Sequence, residues 1–139
     1  MGKKILIIED DEAAAKLATM ILEREGYDIA VAEDGNQGIK RAAEFKPDLA
    51  LVDLMLPSIH GFAVIEKLRE NKELAGLRIM VCSSKTFTQD IDGAMDAGAD
   101  DYITKPYKME ALSAKVKKLL ETGEADLPIG RPNAPTDSG

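Results

Sequence analysis

The sequence is short of cysteine, of long apolar runs and of positive charge, and each shortage excludes a class of protein. Cys82 is the only cysteine, which excludes an intramolecular disulfide and a cysteine-rich zinc site. No apolar run approaches the ~18 residues of a membrane-spanning helix. The apolar run after Lys4 ends at Ile8, too soon for a signal peptide. We therefore expect a soluble protein in a reducing, cytoplasmic setting.

The charge balance is acidic. The 139 residues include 25 acidic and 18 basic side chains, which gives a formal net charge of −7. Because nucleic acids and anionic membranes are bound through basic surfaces, we expect neither as a direct partner. The length suits a single domain with one hydrophobic core. Residues 122–139 are rich in Pro and Gly and lack apolar periodicity, which predicts a flexible tail or linker after a domain at 1–121.

Short apolar runs alternate with longer amphipathic segments. The predicted strands are Lys4–Ile8, Asp28–Val31, Leu49–Asp53, Arg78–Cys82 and Asp101–Thr104. The predicted helices are Glu12–Glu25, Gly35–Phe45, Gly61–Asn71, Thr86–Ala97 and Lys108–Glu121. The strands are continuously apolar, which is typical of a parallel sheet covered on both faces. We predict an α/β fold, a (βα)5 doubly wound sheet of order 2-1-3-4-5 in a flavodoxin-like three-layer sandwich.

Polar side chains stand at the carboxyl ends of the predicted strands. Glu9 and Asp10 follow strand 1, Asp53 ends strand 3, Ser83 follows strand 4 and Lys105 follows strand 5. In doubly wound sheets these ends meet at the ligand-binding edge. Each residue alone has a plainer explanation as a helix cap or a turn residue. Their coincidence at one edge favours a functional site.

The chemistry of that edge follows from its charges. Three close carboxylates cannot all ionise without a cation, and Mg²⁺ prefers carboxylate oxygens. Lys105 is no metal ligand, but its ammonium suits a phosphoryl oxygen. The set therefore predicts phosphoryl transfer to an aspartate, which requires mainly positioning and charge neutralisation. Asp11 and Glu12 are interpreted instead as the first residues of helix 1.

Four motifs in order closely resemble the receiver domain of two-component response regulators, in particular a stand-alone chemotaxis-type receiver. They are ILIIEDDE at Ile5–Glu12, LVDLMLP at Leu51–Pro57 followed by Gly61, MVCSS at Met80–Ser84, and AGADDYITKPY at Ala97–Tyr107. The resemblance covers about residues 3–121. It implies two-component signal transduction by a phosphoacceptor that assists its own modification and is not a turnover enzyme.

The resemblance also implies the metal and acceptor roles. Asp53 corresponds to the phosphoacceptor, Asp10 to the direct Mg²⁺ ligand and Glu9 to the second acid. Met55 corresponds to the residue whose backbone carbonyl contacts the metal, and Mn²⁺ is an expected substitute for Mg²⁺. Lys105 is implied to pair with a phosphoryl oxygen, and its bond to Pro106 to be cis.

The switch residues implied by the family are Ser83 and Tyr102. The Ser83 hydroxyl is expected to move to the phosphoryl group, after which Tyr102 turns inward. Ser83 replaces the commoner Thr, and Ser84 replaces a smaller residue, with an effect on phosphate lifetime that the sequence does not predict. Ala13–Ala15 begin the helix that receivers offer to their kinases, although these residues are also simply good helix formers.

The implied partners are proteins. A sensor histidine kinase or a histidine phosphotransfer protein is expected as phosphodonor, and a downstream protein or an attached output domain as target. A dimer through helix 4, strand 5 and helix 5 is expected on phosphorylation. The alternative is a pseudo-receiver that acts as a phosphate-independent scaffold. A flavin-phosphate binder is disfavoured by the acidic edge, and an Asp-nucleophile hydrolase by the absence of its D-x-D pattern at strand 1.

Overall fold

The computed structural model describes residues 2–56, 59–84 and 88–122. Strands and helices alternate along the chain. In order they are β1 (Lys4–Ile8), α1 (Glu12–Glu23), β2 (Asp28–Ala32), α2 (Gly35–Phe45), β3 (Leu49–Asp53), α3 (Gly61–Glu70), β4 (Arg78–Ser83), α4 (Thr88–Ala97), β5 (Asp101–Thr104) and α5 (Met109–Thr122). A single 3₁₀ turn, Lys72–Leu74, lies between α3 and β4.

The five strands form one parallel sheet in the order β2-β1-β3-β4-β5, which confirms the predicted fold class. Each face of the sheet is covered by its own apolar cluster. One cluster joins residues of the sheet to α2, α3 and α4, and the other joins the sheet to α1 and α5. The central strand β3 is buried along its whole length. This two-sided burial explains why its sequence is continuously apolar up to Asp53.

Several boundaries differ from the predicted ones because local hydrogen bonds decide them. Helix α1 ends at Glu23, not Glu25, and Gly26 adopts a φ of 94° in the turn that follows. Strands β2 and β4 each extend one residue further, since Ala32 pairs with Ile8 and Ser83 with Thr104.

Helix α3 ends at Glu70, and Asn71, its predicted last residue, is the C-cap. The other differences concern the last two helices. Helix α5 begins at Met109 and includes Thr122. The predicted start of helix 4 at Thr86 lies outside the described residues, and so does the predicted tail 122–139 apart from its first residue, Thr122.

Side chains that accept backbone hydrogen bonds fix the starts of three helices. Asp11 Oδ1 accepts from the amides of Ala13 at 2.9 Å and Ala14 at 3.3 Å, as expected for the first residue of helix 1. Asp34 caps α2 in the same way. His60 Nδ1 accepts from the Phe62 amide at 3.1 Å and so caps α3, a role that the sequence did not suggest.

Arg69 ties together the end of the sheet opposite the carboxyl ends of the strands. Its guanidinium donates to the carbonyls of Gly98 at 2.9 Å and Leu77 at 2.6 Å, and to Asp100 Oδ2 at 2.7 Å. The same Asp100 oxygen accepts from the Ile79 amide at 2.8 Å. Because this network joins α3 to the segments that lead into β4 and β5, it fixes the starting points of both strands. No helix in the described part of the chain is long and apolar enough to cross a bilayer.

Candidate functional site

The polar side chains predicted at the strand ends lie along one edge of the sheet. Asp53 is the last residue of β3 and is aligned with Cys82 on β4, while Ser83 is aligned with Thr104 on β5. Glu9 directly follows β1, and its amide donates to the Ala32 carbonyl at 3.0 Å. Parallel strands in register therefore bring residues distant in sequence to one place.

Three carboxylates meet at this edge. Glu9, Asp10 and Asp53 each place one oxygen within 4.8 Å of the others. Glu9 and Asp53 are only 6% exposed, whereas Asp10 is exposed. A groove of about 630 Å³ begins at Glu9 and Asp10 and continues between α1 and β2. The cluster thus has a buried side and a side that is open to ligands.

Lys105 enters the same cluster from the residue after β5. Its Nζ lies 2.6 Å from Glu9 Oε1 and 3.2 Å from Asp53 Oδ2. Its amide donates to the Ser83 carbonyl at 2.8 Å, which holds the Lys105 backbone beside β4. The Lys105–Pro106 bond is cis, as the resemblance implied. One ammonium group therefore contacts both buried carboxylates.

The charges of the cluster are not balanced by Lys105 alone. Burial raises the pKa of Glu9 and Asp53 raises it further, while the hydrogen bond from Lys105 acts in the opposite direction. For Lys105, burial favours a lower pKa, but Glu9 and Asp53 more than reverse this and the net pKa is raised. The excess negative charge and the hard oxygen donors fit a divalent cation such as Mg²⁺.

Met55, two residues after Asp53, is held close to the Asp53 carboxylate. The Met55 amide donates to Asp53 Oδ1 at 2.9 Å, and the Met55 side chain is exposed. The Gly61 amide donates to the Leu54 carbonyl at 3.1 Å. A Cβ on Gly61 would lie 2.6 Å from Leu54 Cα, so this close approach requires glycine. The carbonyl role of Met55 stays a prediction.

Ser83 and Tyr102 lie together on neighbouring strands. Ser83 is fully buried, and Tyr102 is 6% exposed within the cluster that includes α4. Burial raises the pKa of the Tyr102 phenol, and a hydrogen bond with the Ser83 side chain works against that rise. The Tyr102 ring is thus already inward and in contact with the predicted switch hydroxyl. The switch roles of both residues stay predictions.

Two features of the site had no clear signal in the sequence. The shortest contact of Lys105 is with Glu9, not with Asp53. Cys82 lies behind the cluster, where burial raises the pKa of its thiol to about 12. That thiol therefore stays protonated and packs as a small buried apolar side chain.

Comparison with known proteins agrees with this geometry. Residues 5–117 match the family model described as the response regulator receiver domain. The chain belongs to this family. The DNA-binding response regulator MtrA of Mycolicibacterium smegmatis is 40% identical over 124 residues, which are 89% of this chain but 53% of MtrA. The chain spans about half the length of the curated relatives it matches.

Solved receiver structures share the fold. A CheY-like response regulator receiver domain from Methanospirillum hungatei is 30% identical, with a TM-score of 0.82, over 87% of this chain and 95% of that one. The receiver domain of a Pseudomonas aeruginosa sensor histidine kinase is 24% identical, with a TM-score of 0.81, over 88% of this chain and 100% of that one. The latter structure has a magnesium ion coordinated in its active site cleft.

The raised pKa of Glu9 predicts a pH-dependent stability difference. A raised folded-state pKa stabilises the protein below the usual pKa of Glu, about 4.3, and this contribution is lost as the pH rises through the raised pKa. Glu9→Gln should therefore raise the free energy of unfolding in metal-free buffer by about 1 kcal/mol at pH 7, and by much less at pH 4. Urea unfolding at both pH values measures this difference.

The matched control is Glu66→Gln, which removes the same charge from an exposed position on α3. We expect it to change stability by less than about 0.5 kcal/mol at either pH. A Glu9→Gln variant no more stable than the wild type at pH 7 would contradict the predicted repulsion.

Proposed function

We propose that this receiver accepts a phosphoryl group on Asp53 from the phosphohistidine of a sensor histidine kinase or a histidine phosphotransfer protein. The observation that carries this proposal is the Asp53 carboxylate at the strand edge, with Glu9 and Asp10 close by and Lys105 Nζ at 3.2 Å. This cluster contains the three groups that in-line transfer requires: an acceptor carboxylate, the ammonium of Lys105 and carboxylate oxygens that suit a metal ion.

In the proposed reaction an Asp53 carboxylate oxygen attacks phosphorus. A new O–P bond forms, the P–N bond to the donor imidazole breaks, and the electron pair leaves with the imidazole nitrogen. Lys105 then pairs with a phosphoryl oxygen. Glu9, Asp10, Asp53 and the Met55 carbonyl would hold Mg²⁺, or Mn²⁺ in its place, which neutralises phosphoryl charge when bound. The magnesium-bound Pseudomonas receiver supports this assignment.

The proposed product is a modified protein, not a released small molecule, so the receiver is a signalling phosphoacceptor and not a turnover enzyme. The Ser83 hydroxyl would donate to the phosphoryl group and Tyr102 would follow it. The described part of α4 supports such a shift, since Ala94 is the residue there that is fully buried. Ser84 is exposed beside this site, where its hydroxyl can meet water.

Phosphorylation of the isolated chain tests the acceptor. Incubation with phosphoramidate and Mg²⁺ should add one phosphoryl group per chain, because phosphoramidate carries the same P–N bond as phosphohistidine. Asp53→Asn should abolish the addition, since an amide is not nucleophilic at its oxygen. Intact-mass spectrometry measures both results.

Asp96→Asn, on the exposed face of α4, is the control and should label like the wild type. Labelling that persists in Asp53→Asn would refute the assignment of the acceptor. A wild type that binds a partner without ever labelling would favour the pseudo-receiver alternative.

We also propose that the phosphodonor docks on α1 and the segment after β5. Leu17 is 43% exposed on α1 and lines an open groove of about 340 Å³ with Ala14, Pro106 and Tyr107. Two further exposed apolar residues are near this groove in sequence: Met20 follows Leu17 by three residues, and Met109 follows Tyr107 by two. Of the three alanines that begin α1, Ala15 is buried and Ala13 is exposed. This apolar surface adjoins Lys105 and therefore leads directly to the acceptor.

A charge placed on this surface should distinguish an effect on docking of the kinase from an effect on phosphoryl transfer itself. Leu17→Glu should slow transfer from a phosphorylated histidine kinase at least about tenfold, because a carboxylate would be desolvated at the interface. Its labelling rate with phosphoramidate should stay unchanged. Ala43→Glu adds the same charge to the exposed face of α2 and should affect neither rate. Equal slowing with both donors would argue against a docking role.

A dimer through α4, β5 and α5 is proposed as the active output form. The sequence of α4 carries Asp90, Asp92 and Asp96 but no basic residue, whereas α5 carries Lys117 and Lys118. Opposite charges on the two helices suit a symmetric pairing of two copies. Any DNA binding would belong to an attached output domain, as the acidic receiver itself lacks the required charge.

Sedimentation velocity with and without beryllofluoride and Mg²⁺ tests the dimer. The dimer fraction should rise on beryllofluoride treatment of the wild type, and it should not rise in Asp53→Asn. A wild type that stays monomeric when fully loaded would exclude this surface as a dimer interface at the concentrations used.

A further inference from the structure

Each oxygen of the Glu9 carboxylate accepts a hydrogen bond from the protein itself. Its Oε1 accepts from Lys105 Nζ at 2.6 Å, and its Oε2 accepts from the Asp11 amide at 3.2 Å. Lys105 Nζ lies further from Asp53 Oδ2, at 3.2 Å. Before any ligand enters, the strongest ion pair at the strand edge therefore joins Lys105 to a predicted metal ligand.

This pairing conflicts with metal binding. Glu9 is one of the three carboxylates whose oxygens lie within 4.8 Å of one another. A cation placed among those oxygens would lie close to the Lys105 ammonium, and two cations a few ångströms apart in a partly buried site repel strongly. Glu9 is only 6% exposed, so bulk water cannot take over the place of either partner. The Lys105 ammonium and a metal ion therefore cannot both contact Glu9.

We propose that Lys105 is a built-in counter-ion that competes with Mg²⁺ for Glu9, so that the Glu9 carboxylate changes partner when the metal binds. This inference rests on the metal site of the proposed function. Lys105 keeps the unmodified cluster folded without metal, at the cost of weaker Mg²⁺ binding. On metal binding it is released from Glu9 and becomes available to a phosphoryl oxygen at Asp53. Before it contacts phosphate, Lys105 thus acts as a positioning residue that holds the Glu9 carboxylate in place.

A double-mutant cycle on Mg²⁺ affinity tests the competition without using phosphorylation. Isothermal titration calorimetry with MgCl₂ gives the Kd of wild type, Lys105→Gln, Glu9→Gln and the double variant. Lys105→Gln should tighten Mg²⁺ binding roughly tenfold when Glu9 is present. In the Glu9→Gln background, the same change should tighten binding by no more than about threefold, because the contested carboxylate is gone.

The outcomes distinguish this inference from the proposed function. Lys67→Gln removes the same charge from an exposed position on α3 and should leave the Kd within about twofold of wild type. If the wild type binds Mg²⁺ and the two substitutions act independently, the competition is wrong while the metal site stands. If the wild type does not bind Mg²⁺ at millimolar concentration, the metal site and the inference both fail.

A measurement on the wild-type chain covers the case in which Lys105→Gln does not fold. The ¹⁵N resonance of the Lys105 ammonium should move on Mg²⁺ saturation, since its partner Glu9 is withdrawn. The ammonium of Lys115 is the internal control, because it lies 3.7 Å from the buried Asp101 outside the metal cluster. An unmoved Lys105 resonance at saturating Mg²⁺ would overturn the inference.

Discussion

Repulsion among buried carboxylates is the constraint on which this receiver's active edge depends. Glu9 and Asp53 are almost inaccessible to water, and Asp10 lies within the same few ångströms. Such charges are stable only when opposite charge is nearby. Lys105 supplies part of it at 2.6 and 3.2 Å. The unbalanced remainder is negative and suits a divalent cation such as Mg²⁺.

The rest of the fold holds these charges together against their repulsion. Apolar residues cover both faces of β1, β3 and β4, so the strand ends cannot separate without exposing the core. The Arg69 network fixes the opposite ends of β4 and β5, and Gly61 allows α3 to close on the loop after Asp53. The packing of the sheet thus stabilises the fold, and this stability offsets the repulsion among the carboxylates at one edge.

The sequence predicted the sheet and the placement of the site residues because both depend on simple patterns. Continuously apolar strands identify a parallel sheet, and the residues after them identify its carboxyl edge. Features set by single hydrogen bonds were missed, such as the end of α1 at Glu23, the 3₁₀ turn at Lys72–Leu74 and the His60 cap. The partner of Lys105 was also missed, because only side-chain geometry shows that Glu9 is nearer than Asp53.

Hydrogen bonds at the strand ends and packing in the apolar core connect the edge at Asp53 to α4. The Lys105 amide donates to the Ser83 carbonyl, and Ser83 is aligned with Thr104 on β5. The Ser83 side chain in turn hydrogen-bonds Tyr102, whose ring packs in the cluster that contains Ala94 of α4. A change of partner at Ser83 therefore reaches the apolar cluster that contains Ala94 through Tyr102, and a change at Lys105 reaches it one contact later. Because α4 is lightly packed while β3 is wholly buried, we expect a redistribution of charge at Asp53 to move the helix more readily than the sheet.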